Sequence, residues 1–248
     1  MDNLFTDRHI PTDTDELFRA MGYPGRERVS EPVRDICLDQ LCRLDQFIRP
    51  WGGVHEVRIE AVAHDAVQLD CGRRLSARRL ANILRRATAL QLCLVTVGHE
   101  VMAEIERLVA AGAMVEALAL DAAASTAVKG LMAAVRQRVC TDAQARGYGT
   151  TLRYGPGYTG WHLRDTEILF SYLDVERLPV RLNEQLMMLP AKSLLSVIGL
   201  VPGGHAAAPE GVSCRMCDLA HCSVRQLPHD HARHPAVPGE RNIPSETE

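Results

Sequence analysis

The residues Leu90-Gln91-Leu92-Cys93-Leu94-Val95-Thr96-Val97-Gly98 decide the fold of this chain. Successive side chains of a β-strand point to opposite faces of its sheet, so a strand that is apolar at nearly every position is covered on both faces. A short, nearly continuous apolar run is typical of such a buried strand. The run therefore predicts the central strand of a sheet that has other elements packed on both of its faces.

Patterns on either side of this run predict helices and further strands. Apolar residues recur at helical spacing from Glu31 to Arg49 and from Met114 to Arg146, which predicts two long helices. Apolar and charged residues alternate on both sides of His64-Asp65, which predicts a hairpin. Shorter elements are predicted as helices over 13–21, 76–87 (capped by Ser76), 99–111 and 166–173, and as antiparallel strands over 150–154, 186–189 and 194–201. The predicted fold is α+β: a twisted, mainly antiparallel sheet flanked by long helices.

The composition is that of an ordinary soluble protein. The chain has 248 residues, of which 46% are hydrophobic and 24% charged, and its net charge of −3 offers no basic surface for nucleic acid. Residues 1–8 lack the basic start and apolar core of a secretory signal, and the apolar segments are too short or too acidic to span a membrane. The scattered cysteines fit reduced thiols. We therefore expect a cytoplasmic protein without a nucleic-acid or membrane partner.

Composition also divides the chain into four regions. Residues 1–30 are a polar N-terminal extension, and residues 31–201 carry the predicted sheet and helices. From residue 202 the sequence becomes rich in Gly, Ala, Pro and His, and 202–234 form a Cys/His-rich segment. Residues 235–248 are predicted to be a disordered tail.

The most informative short motif is Arg153-Tyr154-Gly155-Pro156-Gly157-Tyr158. Glycine tolerates a positive φ and lacks a Cβ, so the Gly-Pro-Gly bend lets a small ligand approach the backbone. An arginine can grip a carboxylate with two parallel hydrogen bonds. Together these residues suit a zwitterionic, amino-acid-like ligand, while their spacing alone favours a tight turn between a strand and a helix.

Other interpretations of the conspicuous residues are weaker. Gly155, Gly157 and Gly160 match the letters of a dinucleotide fingerprint, but residues 161–165 separate them from the next predicted helix, whereas a dinucleotide site needs that helix at once. The pairs His55-Glu56 and His99-Glu100 lack the second histidine of a zinc protease. We find neither a nucleophile elbow nor a phosphate-binding loop, so hydrolase and NTPase functions have no motif to support them.

A second motif, Cys214-x2-Cys217-x4-Cys222, points to a metal. Closely spaced thiolates can converge on one soft metal centre. A structural zinc would need a fourth ligand from a nearby histidine, whereas an iron–sulfur cluster could use three thiolates and leave one iron open. The sequence leaves zinc, iron–sulfur and a metal-free segment as alternatives.

Asp121 is a carboxylate on an otherwise apolar helical stretch, Leu120 to Ser125. It is interpreted either as a surface acid or as the partner of a ligand amine or a nearby arginine.

These residues resemble the S-adenosylmethionine-binding activation domain of cobalamin-dependent methionine synthase, and above all its small stand-alone relatives. That family binds S-adenosylmethionine through an Arg-x-x-x-Gly-Tyr motif, which Arg153, Gly157 and Tyr158 match position by position. The resemblance continues through Leu182 to Glu184 and Met187 to Ser193 into an apolar strand, and upstream through Val95 to Gly98. It covers roughly residues 30–225 in element order, but only the motif is specific.

The chain departs from the family in three places. The alanine-cysteine-proline that often follows the motif tyrosine in the family is replaced by Thr159-Gly160-Trp161. The family has an acidic residue six places before the motif arginine, where this chain has Gly147. The ligand amine is then held either by Asp121 or by backbone carbonyls. The cobalamin-binding module is also absent, so the resemblance implies that the corrinoid is presented by a separate protein.

The function implied by the resemblance is reductive reactivation of a cobalamin. Arg153 would hold the carboxylate of S-adenosylmethionine, the backbone around Gly155, Pro156 and Gly157 would bind its polar groups, and Tyr158 would border the reacting methyl group as the catalytic residue. The implied partners are a corrinoid protein, its methyltransferase and an electron donor, and an iron–sulfur cluster on the three cysteines would relay the electron. Two alternatives remain: a non-catalytic partner subunit of a split cobalamin-dependent methyltransferase, and a metal-clipped interaction protein.

Overall fold

The computed structural model describes Leu4 and residues 10–204. Six α-helices and eight β-strands alternate along this part of the chain, together with three short 3₁₀ helices. The helices are α1 (Thr14–Ala20), α2 (Glu31–Phe47), α3 (Arg78–Leu84), α4 (Glu100–Ala110), α5 (Met114–Ala145) and α6 (Asp165–Phe170). The strands are β1 (Trp51–Val62), β2 (Val67–Leu69), β3 (Arg74–Leu75), β4 (Ala89–Thr96), β5 (Tyr148–Thr150), β6 (Arg181–Leu182), β7 (Met188–Leu189) and β8 (Ser193–Pro202).

The apolar run forms the centre of a six-stranded sheet, as its sequence predicts. The strand order is β3-β2-β1-β4-β8-β5, and every neighbouring pair is antiparallel. Strand β4 pairs along its whole length with β1 on one side, from Trp51↔Thr96 to Arg58↔Ala89, and with β8 on the other. The fold class is therefore α+β with a mainly antiparallel sheet.

Helix α5 covers one face of this sheet. Its side chains pack with Cys93 and Val95 of β4 and with Ile198 of β8, while α1, α2 and α4 pack around it. Alanine fills much of the buried side of α5, which lets the helix approach the sheet and its neighbours closely. Helix α1 belongs to this core, because Leu17 and Phe18 are buried in it.

The other face of the sheet is covered by α3, α6 and the segment around the glycine loop. The alternate residues of β4, Leu90, Leu92 and Leu94, are fully buried there beside Leu84 and Trp161. The two faces of one strand thus belong to two separate apolar cores, which is why its sequence is apolar at almost every position.

Three local predictions differ from the structure. Ser76 does not cap α3, because Ala77 holds the N-cap position and no side chain accepts a hydrogen bond from the first turn. The backbone N–H of Ser76 donates to Oδ2 of Asp165 over 3.0 Å. The strand predicted over 150–154 ends at Thr150, and Tyr154 forms an isolated bridge with Val197. The segment predicted over 186–189 pairs with β6 in a small separate sheet rather than joining the main one, since short apolar runs do not specify their partner strand.

Helix α5 is long and apolar enough to cross a membrane. Its burial is that of a core helix, because residues all along it, from Ala117 to Ala143, are buried inside the protein. We find no other helix of that length and apolarity among the described residues.

The central position of β4 predicts a large effect of shortening one of its side chains. Leu92 is fully buried, so Leu92→Ala should lower the free energy of unfolding by about 2–5 kcal/mol through lost burial and the cavity that remains. Leu118 on α5 is 53% exposed, and Leu118→Ala should change that free energy by at most about 0.5 kcal/mol. Urea unfolding of both variants measures the difference, and equal losses would show that β4 is not the centre of the core.

Candidate functional site

The glycine motif forms a loop that is tied to the edge of strand β8. Tyr154 exchanges two backbone hydrogen bonds with Val197: Tyr154 N donates over 3.0 Å and Val197 N over 2.7 Å. Beyond this bridge the chain turns sharply, and Tyr158 N donates to Gly155 O over 3.2 Å. The loop closes where Gly157 N donates to Trp161 O over 2.9 Å. Its backbone is therefore fixed by its own hydrogen bonds.

Two glycines of the motif are required for different reasons. Gly155 is buried against β8, and a Cβ atom there would lie 2.7 Å from the carbonyl oxygen of Leu195. Gly157 has φ +86°, which side-chain-bearing residues rarely adopt, but only Leu163 Cδ1 would come within 4 Å of a Cβ there. Gly155 thus permits close packing, and Gly157 permits the turn.

Stacked aromatic rings on the buried side of the loop pack against it. Tyr154 and Trp161 are buried and stack with their ring centroids 5.8 Å apart, and the Tyr158 ring meets Tyr154 edge-on at 5.7 Å. The Tyr154 hydroxyl donates to the carbonyl of Thr159. Buried aromatic pairs of this kind hold a defined geometry. They present Tyr158, which is 40% exposed, on the outside of the loop.

A buried carboxylate joins the loop to two helices. Oδ2 of Asp165, at the start of α6, accepts from Trp161 Nε1 over 2.9 Å and from the Ser76 backbone N–H over 3.0 Å. Asp165 is only 4% exposed. From the sequence, Trp161 and Asp165 have no predicted role beyond separating the glycine motif from the next helix. Their spacing of four residues at a helix start was the available signal, but it does not identify Ser76 as the third member.

Arg153 is half-buried at the rim of this loop. Its Nη1 lies 3.4 Å from the hydroxyl oxygen of Tyr158. Within the described residues its guanidinium forms no ion pair, in contrast to Arg146, which contacts Glu56 at 2.6 Å. Arg153 also faces the sheet: burial raises the pKa of the Cys93 thiol to about 12, and the charge of Arg153 opposes that shift. A cation beside an exposed phenol can bind a ligand carboxylate.

Two predicted ligand-binding groups are engaged elsewhere. The Gly157 N–H, expected to bind a ligand, donates within the turn. Asp121 Oδ1 lies 2.7 Å from Lys192 Nζ, which also contacts Ser125 Oγ at 2.8 Å. Lys192 immediately precedes β8, whereas the loop joins that strand at Val197, about 16 Å further along at the usual rise per residue. The structure therefore joins Asp121 to the start of β8 and not to the loop.

Of the remaining predicted site residues, Pro156 is described by the structure and the three cysteines are not. Pro156 lies half-buried in the loop between the two glycines. Cys214, Cys217 and Cys222 lie outside the described residues, as do residues 205–234 of the predicted Cys/His-rich segment and the whole of the predicted tail, 235–248. Among residues 10–204, we find no group of three His, Cys, Asp or Glu side chains that could hold a metal ion.

The chain shares its fold with a solved protein of known ligand state. The crystal structure of the MetH reactivation domain bound to AdoHcy superposes with a TM-score of 0.60, over 78% of this chain and 75% of that one, at 14% sequence identity. No family model matches the sequence, and no curated protein matches it in a sequence search. The likeness establishes the fold of a reactivation domain, as the resemblance implied.

The buried carboxylate under the loop gives a second prediction. Asp165→Ala leaves the Trp161 and Ser76 N–H groups without an acceptor, which should cost about 1–3 kcal/mol of unfolding free energy for the buried Trp161 group and less for the N–H of the exposed Ser76. Asp165→Asn keeps one acceptor oxygen and should lose less. Urea unfolding followed by tryptophan emission measures both variants. Equal stability of the alanine and asparagine variants would contradict the role of this carboxylate as the shared acceptor.

Proposed function

We propose that this protein binds S-adenosylmethionine at the Arg153–Tyr158 loop and supports the reductive methylation of a cobalamin that a separate corrinoid protein presents. The observation that carries the proposal is an arginine with no carboxylate partner among the described residues, half-buried beside an exposed tyrosine, on the fold of a reactivation domain.

The shared fold supports the ligand class. The similar reactivation domain is bound to AdoHcy, which is what S-adenosylmethionine becomes once its methyl group has been transferred. At 14% identity the residues that bind the ligand have to be argued from this chain itself. Arg153, Gly157 and Tyr158 are the residues that also match the family motif.

Arg153 is the proposed carboxylate anchor. Its guanidinium is charged at any physiological pH and offers parallel N–H donors. A ligand carboxylate placed there would find a cation that is held at one side by Tyr158 and is not neutralised by another protein group within the described residues. The amine would then be bound by backbone carbonyls, since Asp121 is paired with Lys192.

The loop contributes mainly position. Its internal hydrogen bonds and the stacked pair below it fix where Arg153 and Tyr158 stand before a ligand arrives. Gly155 packs against Leu195 of β8, and the half-buried Pro156 follows it in the loop. The backbone of these two residues would contact the ligand held by Arg153. Tyr158, half-exposed at the outer surface, would border the reacting methyl group and the edge of the approaching corrin.

The bound S-adenosylmethionine would supply the methyl group that traps a cobalamin after an external donor has reduced it. This chain would hold the ligand and shield it from water, and the corrinoid, its methyltransferase and the electron donor would be separate partners. Exposed apolar side chains at the β6–β7 turn, Met187 and Leu189, are 55% and 51% exposed and suit contact with such a partner.

Binding of S-adenosylmethionine should depend on Arg153. A charge-assisted hydrogen bond contributes about 1.5–3 kcal/mol, so Arg153→Ala should raise the dissociation constant by about 10- to 100-fold or more. Arg153→Lys should fall between, because lysine keeps the charge but loses the paired donors. Isothermal titration of the full chain measures all three proteins.

The matched control is Arg164→Ala, which removes an exposed arginine just after the same loop and should leave the affinity unchanged. Equal affinity of wild type and Arg153→Ala would overturn the proposed site. Wild type that binds no S-adenosylmethionine but captures a corrinoid protein would favour the non-catalytic partner subunit. Failure of both would leave the metal-clipped interaction protein.

We also propose that Cys214, Cys217 and Cys222 bind a metal that assists this chemistry. Protein purified without oxygen should contain iron and visible absorbance if an iron–sulfur cluster relays the electron, or one equivalent of zinc if the cysteines form a structural clip. A variant with all three cysteines changed to serine should lose that metal. Wild type without iron or zinc would contradict the metal site.

A further inference from the structure

A cavity lies beside strand β8, where the end of α3 approaches the β5 edge of the sheet. Its volume is about 240 Å³, and it is bordered by Asn82, Arg85 and Arg86 at the end of α3 and by Thr150, Val201 and Gly204 on the strand side. None of the described residues that line it is acidic. The cavity is therefore an open, positively charged cleft at the surface.

The two arginines have no electrostatic partner within residues 10–204. Neither Arg85 nor Arg86 forms an ion pair or a side-chain hydrogen bond there, and both are exposed. Several other surface arginines of this chain are paired, for example Arg138 with Asp142 at 2.9 Å and Arg107 with Glu104 at 2.7 Å. Two adjacent unpaired guanidinium groups repel each other, and an anion placed between them would remove that repulsion.

On the strand side, the cavity is bordered by main-chain groups of the edge strand β5. Strand β5 is the last strand of the sheet, and Thr151 N donates to Gly199 O while Gly203 N donates to Gly147 O. Because main-chain groups alternate in direction along an antiparallel strand, those of Thr150 point away from β8 to the open edge. The Thr150 hydroxyl lies 3.3 Å from Cys140 Sγ on the other face, so its main chain is what borders the cavity.

We propose that this cavity is a binding site for a phosphate group, separate from the S-adenosylmethionine site. Guanidinium groups match the oxygens of phosphate with paired hydrogen bonds, the Asn82 amide adds a further donor, and two cations favour a dianion over a single carboxylate. The volume is below that of most sites for drug-sized ligands, so the group that enters is small or is the phosphate end of a larger molecule.

This site is distinct from the proposed function in both place and chemistry. Thr150 precedes Arg153 by three residues, about 10 Å of extended chain. S-adenosylmethionine carries a carboxylate and a sulfonium but no phosphate, so it does not supply the ligand. Free phosphate and a phosphate monoester share the recognised chemistry.

Isothermal titration of the full chain at constant ionic strength tests the proposal with three probes: inorganic phosphate, glycerol 3-phosphate and glycerol, none of which shares the adenosyl group of S-adenosylmethionine. Phosphate should bind and glycerol should not. Equal affinity for phosphate and glycerol 3-phosphate indicates a site for the free anion, whereas tighter binding of glycerol 3-phosphate indicates an ester. Absence of binding by both phosphate-bearing probes would overturn the proposal.

The double variant Arg85→Ala/Arg86→Ala should weaken phosphate binding by about tenfold or more, because it removes the charge-assisted bonds. The control Arg107→Ala/Arg138→Ala removes the same charge from paired surface arginines and should leave the affinity unchanged. The first double variant should also bind S-adenosylmethionine as wild type does, so loss of the two ligands can be told apart. Equal phosphate affinity of the two double variants would contradict the site.

Discussion

The burial of β4 on both faces is the constraint on which the rest of the structure depends. Each of its residues is paired with β1 and with β8, so its backbone polar groups are satisfied within the sheet while its side chains enter two apolar cores. A strand that is apolar on both faces needs other elements packed on each face to exclude water. Helix α5 packs on one face, and α3, α6 and the glycine loop pack on the other.

The candidate site follows from that arrangement. The chain leaves β5 and returns to the sheet at Tyr154, which bridges to Val197 of β8. The side chains of Tyr154 and Trp161 then enter the core under β4, while Arg153 and Tyr158 remain at the rim. The loop is thus part of the core on its inner side and exposed on its outer side, where the proposed ligand would bind. Its rigidity comes from the same apolar burial that stabilises the sheet.

Some charged side chains of this protein form ion pairs within the structure, whereas others form none among the described residues and could bind a ligand. Lys192 joins Asp121 and Ser125 at the start of β8, and Arg146 joins Glu56 across the sheet. The pKa of the Glu56 carboxyl lies below its usual range because Arg146 donates to it. Arg153, Arg85 and Arg86 lack such partners in the part of the chain described. At such positions no internal ion pair has to be broken when an anion binds.

The residue pattern was enough to predict the main helices and strands and the α+β fold class. Continuous apolarity identified β4, helical spacing identified α2 and α5 to within a few residues, and alternation identified the β1–β2 hairpin, because burial imposes these periods directly on the residues. The motif residues that suit a ligand carboxylate were also visible, since they are close together in the chain. Contacts between side chains that are far apart in the sequence became apparent only from the three-dimensional structure. It joined Asp121 to Lys192, Asp165 to Trp161 and Ser76, and the end of α3 to the edge strand β5. Such contacts depend on how the elements pack, and no local period or spacing in the chain records that packing.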